Sequence, residues 1–200
     1  MIDFFRRVKI RKYKSVYELI TSLERKNLLK EDSLIDYYKD KKYKAGTYEY
    51  NILTGKEKVK NKKTYNLNKG VECYFKKDIA SIIMICDYFK KVHALEAVQG
   101  FESYIFSQDY FDEQKLLGLS ILLMRDTNAI EPVKFGILLS RYYQLENAEA
   151  AIDIIKKLSL HPEFTYYGLT VLKNLNNYDE IKEELSNNIV GTGKEIEKFF

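Results

Sequence analysis

The sequence predicts an all-α protein built from paired helices that stack side by side. Three observations carry this reading. Apolar residues between Ala148 and Asn176 recur at helical spacing on both sides of a His161-Pro162 break. Only two prolines occur in 200 residues, which leaves room for uninterrupted helices. Glycines sit inside apolar helical patterns, where each costs about 1 kcal/mol against alanine and so implies a packing reason.

The segment 148–176 shows the pattern best. In its first helix, Ala151, Ile152, Ile155 and Leu158 mark one face, with Ile154 beside it. Lys156 and Lys157 suit the negative end of that helix. Pro162 stops it and is equally suited to the first turn of the next, with Glu163 at the positive pole. The second helix carries Phe164, Tyr167, Leu169, Val171, Leu172 and Leu175, with Gly168 in its middle. Gly100, Gly118 and Gly136 sit in similar settings. Phe135-Gly136-Ile137 matches Tyr167-Gly168-Leu169 at an offset of 32, and Leu139 and Arg141 match Val171 and Lys173. Each glycine is read as a place where a neighbouring helix crosses closely, and a period of this size spanning two helices predicts an α-solenoid.

Taken from the start, residues 1–14 are basic, with Arg6, Arg7, Lys9, Arg11, Lys12 and Lys14. Ser15 followed by Glu18 predicts a capped helix to about Lys26, and a short helix is expected near 31–38. Residues 43–70 are the least helical part, either a small hairpin or a loop, with Gly46, Gly55 and Gly70 as breakers. From Asp78 onward helices are expected over about 78–92, 94–107, 111–125 and 130–145. The apolar run Leu116–Met124 is expected at the centre of the body. A short acidic helix from Asp179 and a turn at 191–193 leading into a final helix complete the chain. The division expected is a basic N-terminal appendage, 1–77, irregular or α+β, and a helical-repeat domain, 78–200.

The helices 148–160 and 162–175 resemble the two helices of a HEAT-like repeat. More narrowly, 160–198 is similar to a family of helical proteins from low-GC Gram-positive and related bacteria, some labelled limonene hydroxylase. The residues that carry this are His161, Glu163, Phe164, Thr165, Tyr167, Gly191, Gly193, Lys194 and Ile196. They cover about one fifth of the chain. The resemblance implies a helical stack and a C-terminal end shortened relative to the family. The hydroxylase label finds no motif: a di-iron site of that kind needs Glu-x-x-His, which this chain lacks.

Composition narrows the function classes. Residues 1–77 hold 21 Lys and Arg against 10 Asp and Glu, net +11, and residues 78–200 hold 12 against 19, net −7. Such asymmetry is one mark of a basic arm that meets an acidic partner. No stretch approaches the roughly 20 apolar residues of a membrane span. Cys73 and Cys86 form neither a disulfide framework nor a zinc site, which fits a cytoplasmic protein. His93 and His161 fall at helix junctions, where a ring nitrogen is expected to meet a backbone carbonyl. The acidic groups at 109–113 and 179–184 read as helix starts and solvated faces. Gly191-Thr192-Gly193-Lys194 fails as a phosphate loop, because Asn188 stands where a glycine is needed and Glu195 replaces the hydroxyl residue.

The expected function is therefore binding of another macromolecule, a protein, with no catalysis, no cofactor and no metal. The residues expected to carry it are Arg141, Tyr142, Lys173, Asn174 and Tyr178. The alternative is nucleic-acid binding through Arg6, Arg7, Lys9, Arg11, Lys12, Lys14 and the lysines of 56–63, aided by the tyrosines of the N-terminal third. An enzyme of the hydroxylase-labelled family is the third possibility.

Overall fold

The computed structural model describes residues 14–38, 42, 44–108 and 112–200. These residues form α1 (Val16–Glu24), α2 (Thr47–Leu53), α3 (Tyr65–Phe75), α4 (Ser81–Phe89), α5 (Ala94–Phe106) and α6 (Glu113–Asp126). They continue with α7 (Ile130–Leu139), α8 (Glu149–Ser159), α9 (Pro162–Leu172), α10 (Tyr178–Ser186) and α11 (Gly193–Glu197). No strand occurs among the described residues.

Local chemistry sets several of these boundaries. The Ser15 hydroxyl accepts the Glu18 N–H and the Glu18 carboxylate accepts the Ser15 N–H, both at 3.1 Å, so the expected capping box starts α1. Asp112 accepts the Lys115 N–H at 3.1 Å and starts α6. The His161-Pro162 break is as expected: α8 ends at Ser159, and His161 caps α9 through Nδ1, which accepts the Glu163 N–H at 3.3 Å.

The centre of the body differs from expectation by one helix. In α7, Ile130 and every residue from Pro132 to Leu139 are buried. The α6 helix, with its apolar run Leu116–Met124, keeps Leu117, Gly118 and Ile121 only partly covered. The reason is position. The α7 helix packs on α6, on α9, and on both α4 and α5, whereas α6 packs on α7, α8 and α1. The pairs α6–α7 and α8–α9 repeat one local design at the offset of 32. Thr127 Oγ1 donates to the Leu123 carbonyl and Ser159 Oγ to the Ile155 carbonyl, each at 2.7 Å, and Glu131 and Glu163 occupy matching first turns.

The glycine reading divides. A Cβ on Gly136 would lie 3.0 Å from Leu123 and Met124 of α6, and one on Gly168 would lie 1.7 Å from Ser159 Oγ of α8, so both mark close helix crossings. Gly100 instead faces Thr64 and the Lys62 carbonyl, in the link before α3, and Gly118 meets only the tip of Tyr74.

The N-terminal third departs most. Over 43–70 the expected hairpin or loop is replaced by α2, a link at 56–64, and the start of α3. The β-prone residues 47–53 become helical because tertiary contacts outweigh local preference. Gly46 adopts φ +74° at the N-cap, and a Cβ there would lie 2.8 Å from the Pro162 carbonyl. Val16, Ile20, Leu34 and Leu67 are fully buried in the same apolar core as the later helices, and α1 packs against α6 and α8. Three N-terminal glutamates reach C-terminal partners. Glu24 meets Lys157 at 3.0 Å, Glu31 accepts the Thr192 N–H at 3.2 Å, and Glu49 meets Lys134 at 2.8 Å.

Candidate functional site

The densest polar chemistry lies where α2, α7 and α9 meet. Lys134 projects from the middle of the most buried helix, with 1 % of its side chain exposed. An isolated ammonium could not stay charged there, so it must be surrounded by partners. Its Nζ lies 2.8 Å from Glu49, 3.1 Å from Glu131 and 2.6 Å from Glu163, and 5.4 Å from the centre of the Tyr167 ring. The Tyr167 hydroxyl donates to Glu49 at 2.8 Å.

The outer carboxylate oxygens extend the network to two helix starts. Glu163 accepts the Gly46 N–H at 2.9 Å, at the head of α2. Glu131 accepts the Ala94 N–H at 2.7 Å, at the head of α5. The two first-turn acids of the 32-residue repeat thus do the same job: each holds Lys134 and each ties down the start of another helix. Glu131 also meets His93 Nδ1 at 3.2 Å, and the His93 ring stacks on Tyr48 with centres 4.3 Å apart.

Burial penalises the charged form of Glu131, yet Lys134 and the His93 hydrogen bond outweigh it and hold the carboxyl at about 2. For Glu49 burial wins over Lys134, and its carboxyl is raised. Burial works against the Lys134 charge as well, but Glu131, Glu163 and Glu49 together keep the ammonium firmly protonated. A protonated amine has no lone pair, so this lysine is not a nucleophile or a base as it stands. The ammonium occupies the position that a cation would take between the three carboxylates. Among the described residues no cluster of His, Cys, Asp and Glu is arranged to hold a metal ion. Physically the network is a clamp that joins the N-terminal segment to α5, α7 and α9.

Of the two histidines expected to meet a backbone carbonyl, His161 has the Glu31 backbone beside its ring, whereas His93 departs from the expectation. His93 turns to Glu131, with its side chain 45 % exposed, and the hydrogen bond to Glu131 outweighs burial to raise it. His161 is fully buried, and burial lowers it to about 4, more than Glu163 and the Glu31 backbone pull it up. Cys86 is half-buried, and burial pushes its thiol to about 11, away from reactivity.

On the surface, an open cleft of about 360 Å³ lies between the ends of α5 and α7, lined by Glu102, Phe106, Glu113 and 141–144. It holds two of the residues expected to bind a partner. Arg141 and Tyr142 share Glu102, at 3.3 Å and 3.1 Å. Phe106 is 74 % exposed and meets the Tyr142 ring edge-on at 6.3 Å.

The other expected residues lie beyond the end of α9. Lys173 sits 5.8 Å from the Phe200 ring, Asn174 is exposed, and Tyr178 opens α10 with its hydroxyl buried and lacking a hydrogen-bond partner among the described residues. Of the basic alternative, Arg6, Arg7, Lys9, Arg11 and Lys12 lie outside the described residues; Lys14 is exposed and its carbonyl accepts the Tyr37 hydroxyl at 2.8 Å. The turn at Gly191–Gly193 does lead into α11. No described helix is long and apolar enough to cross a membrane.

The clamp was missed in the sequence, although a signal exists. Lys134 is the single cation in the apolar run Val133–Leu139, and Glu131 and Glu163 stand in matching places one repeat apart. Comparison with protein-family models, with curated proteins and with solved structures finds no match.

Proposed function

We propose that this chain is a non-catalytic binding protein whose helix pairs stack in a HEAT-like manner and whose cleft at Glu102, Phe106, Arg141 and Tyr142 receives a segment of another protein. The observation that carries this is the composition and exposure of the cleft. A phenylalanine, two tyrosines and an arginine converge there, the residue types that dominate binding energy at protein interfaces. Phe106 keeps most of its surface in water, a standing cost that a partner would relieve. Arg141 is held by Glu102 yet remains 39 % exposed, so it is positioned rather than concealed. Two carboxylates, Glu102 and Glu113, face one guanidinium, which favours a partner segment carrying an apolar and a basic side chain.

The repeated hairpins α6–α7 and α8–α9 support the stacked arrangement, which offers a ridged outer surface free of core constraints. Unpaired Cys73 and Cys86 suit a reducing compartment such as the cytoplasm.

The test compares wild type with a Phe106→Ala, Arg141→Glu variant as bait in extracts of the source cells, followed by cross-link mapping. Wild type is expected to retain at least one protein more than about tenfold better, a difference worth about 1.4 kcal/mol, with cross-links to the 102–144 region. Identical retention by both, or cross-links elsewhere, overturns the assignment. A stoichiometric metal, flavin or haem in the purified protein would overturn its non-catalytic part.

A further inference from the structure

Between α2 and α3 the chain runs as Lys56-Glu57-Lys58-Val59-Lys60-Asn61-Lys62-Lys63, and all eight residues are exposed. Five lysines against one glutamate give the segment a net charge of +4. That equals the net charge of the whole chain, so the rest is balanced, with 28 basic and 28 acidic residues. Lys58, Lys60, Lys62 and Lys63 make no ion pair among the described residues.

An unstructured linker could carry the same charge, but this segment is fastened at both ends. The Lys56 and Glu57 N–H groups both bond the Asn51 carbonyl, at 2.9 and 3.1 Å. The Lys62 N–H bonds the Glu96 carbonyl of α5 at 2.8 Å, and the Lys63 carbonyl accepts the Tyr88 hydroxyl at 3.2 Å. Asn61 contacts Gln99. Gly100 lets the link lie close: a Cβ there would sit 2.8 Å from Thr64 and 3.2 Å from the Lys62 carbonyl. The backbone is therefore held in place while Lys58, Lys60, Lys62 and Lys63 stay unpaired among the described residues, so a ligand need not order it again.

The residue that follows the buried Thr64 is Tyr65, 74 % exposed at the first position of α3. A row of unpaired cations beside an open aromatic ring matches a phosphate backbone with unstacked bases. A lipid surface would instead call for several apolar anchors, and within the segment Val59 is the one apolar side chain, at 36 % exposure. We infer that the fastened segment 56–63, together with Tyr65, is a binding strap for single-stranded nucleic acid. This inference is independent of the cleft at Phe106.

The experiment is fluorescence anisotropy of the full chain with a labelled oligothymidylate of about 20 nucleotides, longer than one such site. A duplex of equal length, poly-glutamate, and vesicles rich in phosphatidylserine serve as the other arms. The oligothymidylate is expected to bind. With about 0.7 in log–log slope for each of four phosphates, raising salt from about 50 to about 200 mM should weaken binding roughly 50-fold.

A Lys58→Gln, Lys60→Gln, Lys62→Gln, Lys63→Gln variant should lose binding while keeping its helical circular dichroism and melting temperature. Tyr65→Ala should weaken the single strand about tenfold, since stacking on one aromatic accounts for that much, and leave the duplex unchanged. Absence of binding at low salt, or equal binding by the glutamine variant, overturns the inference. So does retention of poly-glutamate or vesicles as tight as the oligothymidylate with Tyr65→Ala inert.

Discussion

Lys134 and Lys60 are the same side chain under opposite treatment. Lys134 sits 1 % exposed among three carboxylates; Lys60 stands exposed with no partner among the described residues. The difference lies in where the acids of the N-terminal third go. Glu24, Glu31 and Glu49 all reach partners in the C-terminal half. Lys58, Lys60, Lys62 and Lys63, by contrast, are exposed and make no ion pair among the described residues. Over the described part of residues 1–77 a plain charge count thus understates how basic the surface is, because Glu24, Glu31 and Glu49 serve as internal fasteners. The lesson is that a charge count over a segment mixes two populations, and only burial separates them.

The sharpest way to break this comparison is to remove each cation in turn. Lys134→Met leaves Glu49 and Glu163 buried without their counter-charge and should cost about 3–5 kcal/mol, roughly 6–20 °C in melting temperature for a chain of this size. Lys60→Met should stay within about 0.5 kcal/mol. Denaturant melts of the two variants against wild type give the answer directly. Adding Glu49→Gln and Glu163→Gln to Lys134→Met should recover part of the loss, because the uncompensated charge and not the missing methylenes dominates. Equal effects at positions 134 and 60 would mean that the clamp contributes no more than a surface charge.

Acid should find the closed region first. His161 is neutral in the fold, with its pKa lowered to about 4 by burial, while the unfolded chain takes up a proton near 6.5. Between those values the unfolded state binds more protons, so this contribution is complete above pH 6.5 and is lost as pH falls toward 4. The gap corresponds to about 3 kcal/mol. Glu131 follows: its pKa of about 2 lies below the ordinary 4.5, so its contribution is present above 4.5 and is lost as pH falls toward 2. His93 acts in another window, because a raised pKa stabilises below 6.5 and that share is lost as pH rises past it. His161→Asn keeps a capping acceptor for the Glu163 N–H and should flatten the stability profile between pH 6.5 and 4. His93→Asn should lower stability below pH 6.5 and change the slope of the profile only above it. Urea melts at half-unit pH steps would show which histidine carries the acid limb.

Much of the helical body was legible because its signals are local. The Ser15–Glu18 box, the His161-Pro162 break and the face Ala151, Ile155, Leu158 each follow from a few neighbouring residues. The segment 47–53 was misread for the opposite reason. Its helix is stabilised by Glu49 reaching Lys134 and by Gly46 lying against Pro162, partners more than 80 residues away in sequence. The central helix was misplaced by one, since the run Leu116–Met124 reads as apolar nearly all round, whereas packing against neighbouring helices decides burial. The clamp was the hardest to see: lysine and glutamate ordinarily read as solvated, and only their register across the 32-residue repeat marks them otherwise.

The same contrast between closed and open surroundings applies, on a smaller scale, to two helix-interior glycines. A Cβ at Gly168 would stand 1.7 Å from Ser159 Oγ, which is buried and already donates to Ile155, so α9 and α8 would have to move apart. Gly168→Ala should cost about 1–3 kcal/mol, the range for overpacking a tight core. Ser159→Ala in the same chain removes the clashing oxygen and leaves a contact of 3.0 Å to the Ser159 Cβ. The pair should therefore cost less than the two single changes together, by about 1 kcal/mol. Gly118 meets only the Tyr74 hydroxyl, at 3.1 Å and at the end of a flexible side chain. Gly118→Ala should be neutral or stabilise by up to about 1 kcal/mol, because alanine is the better helix former. Thermal melts of these four variants test whether Gly168 marks a true helix crossing and Gly118 does not. If Gly118→Ala costs as much as Gly168→Ala, close packing extends to the outer face of α6, and the distinction between a closed interior and an open surface fails there.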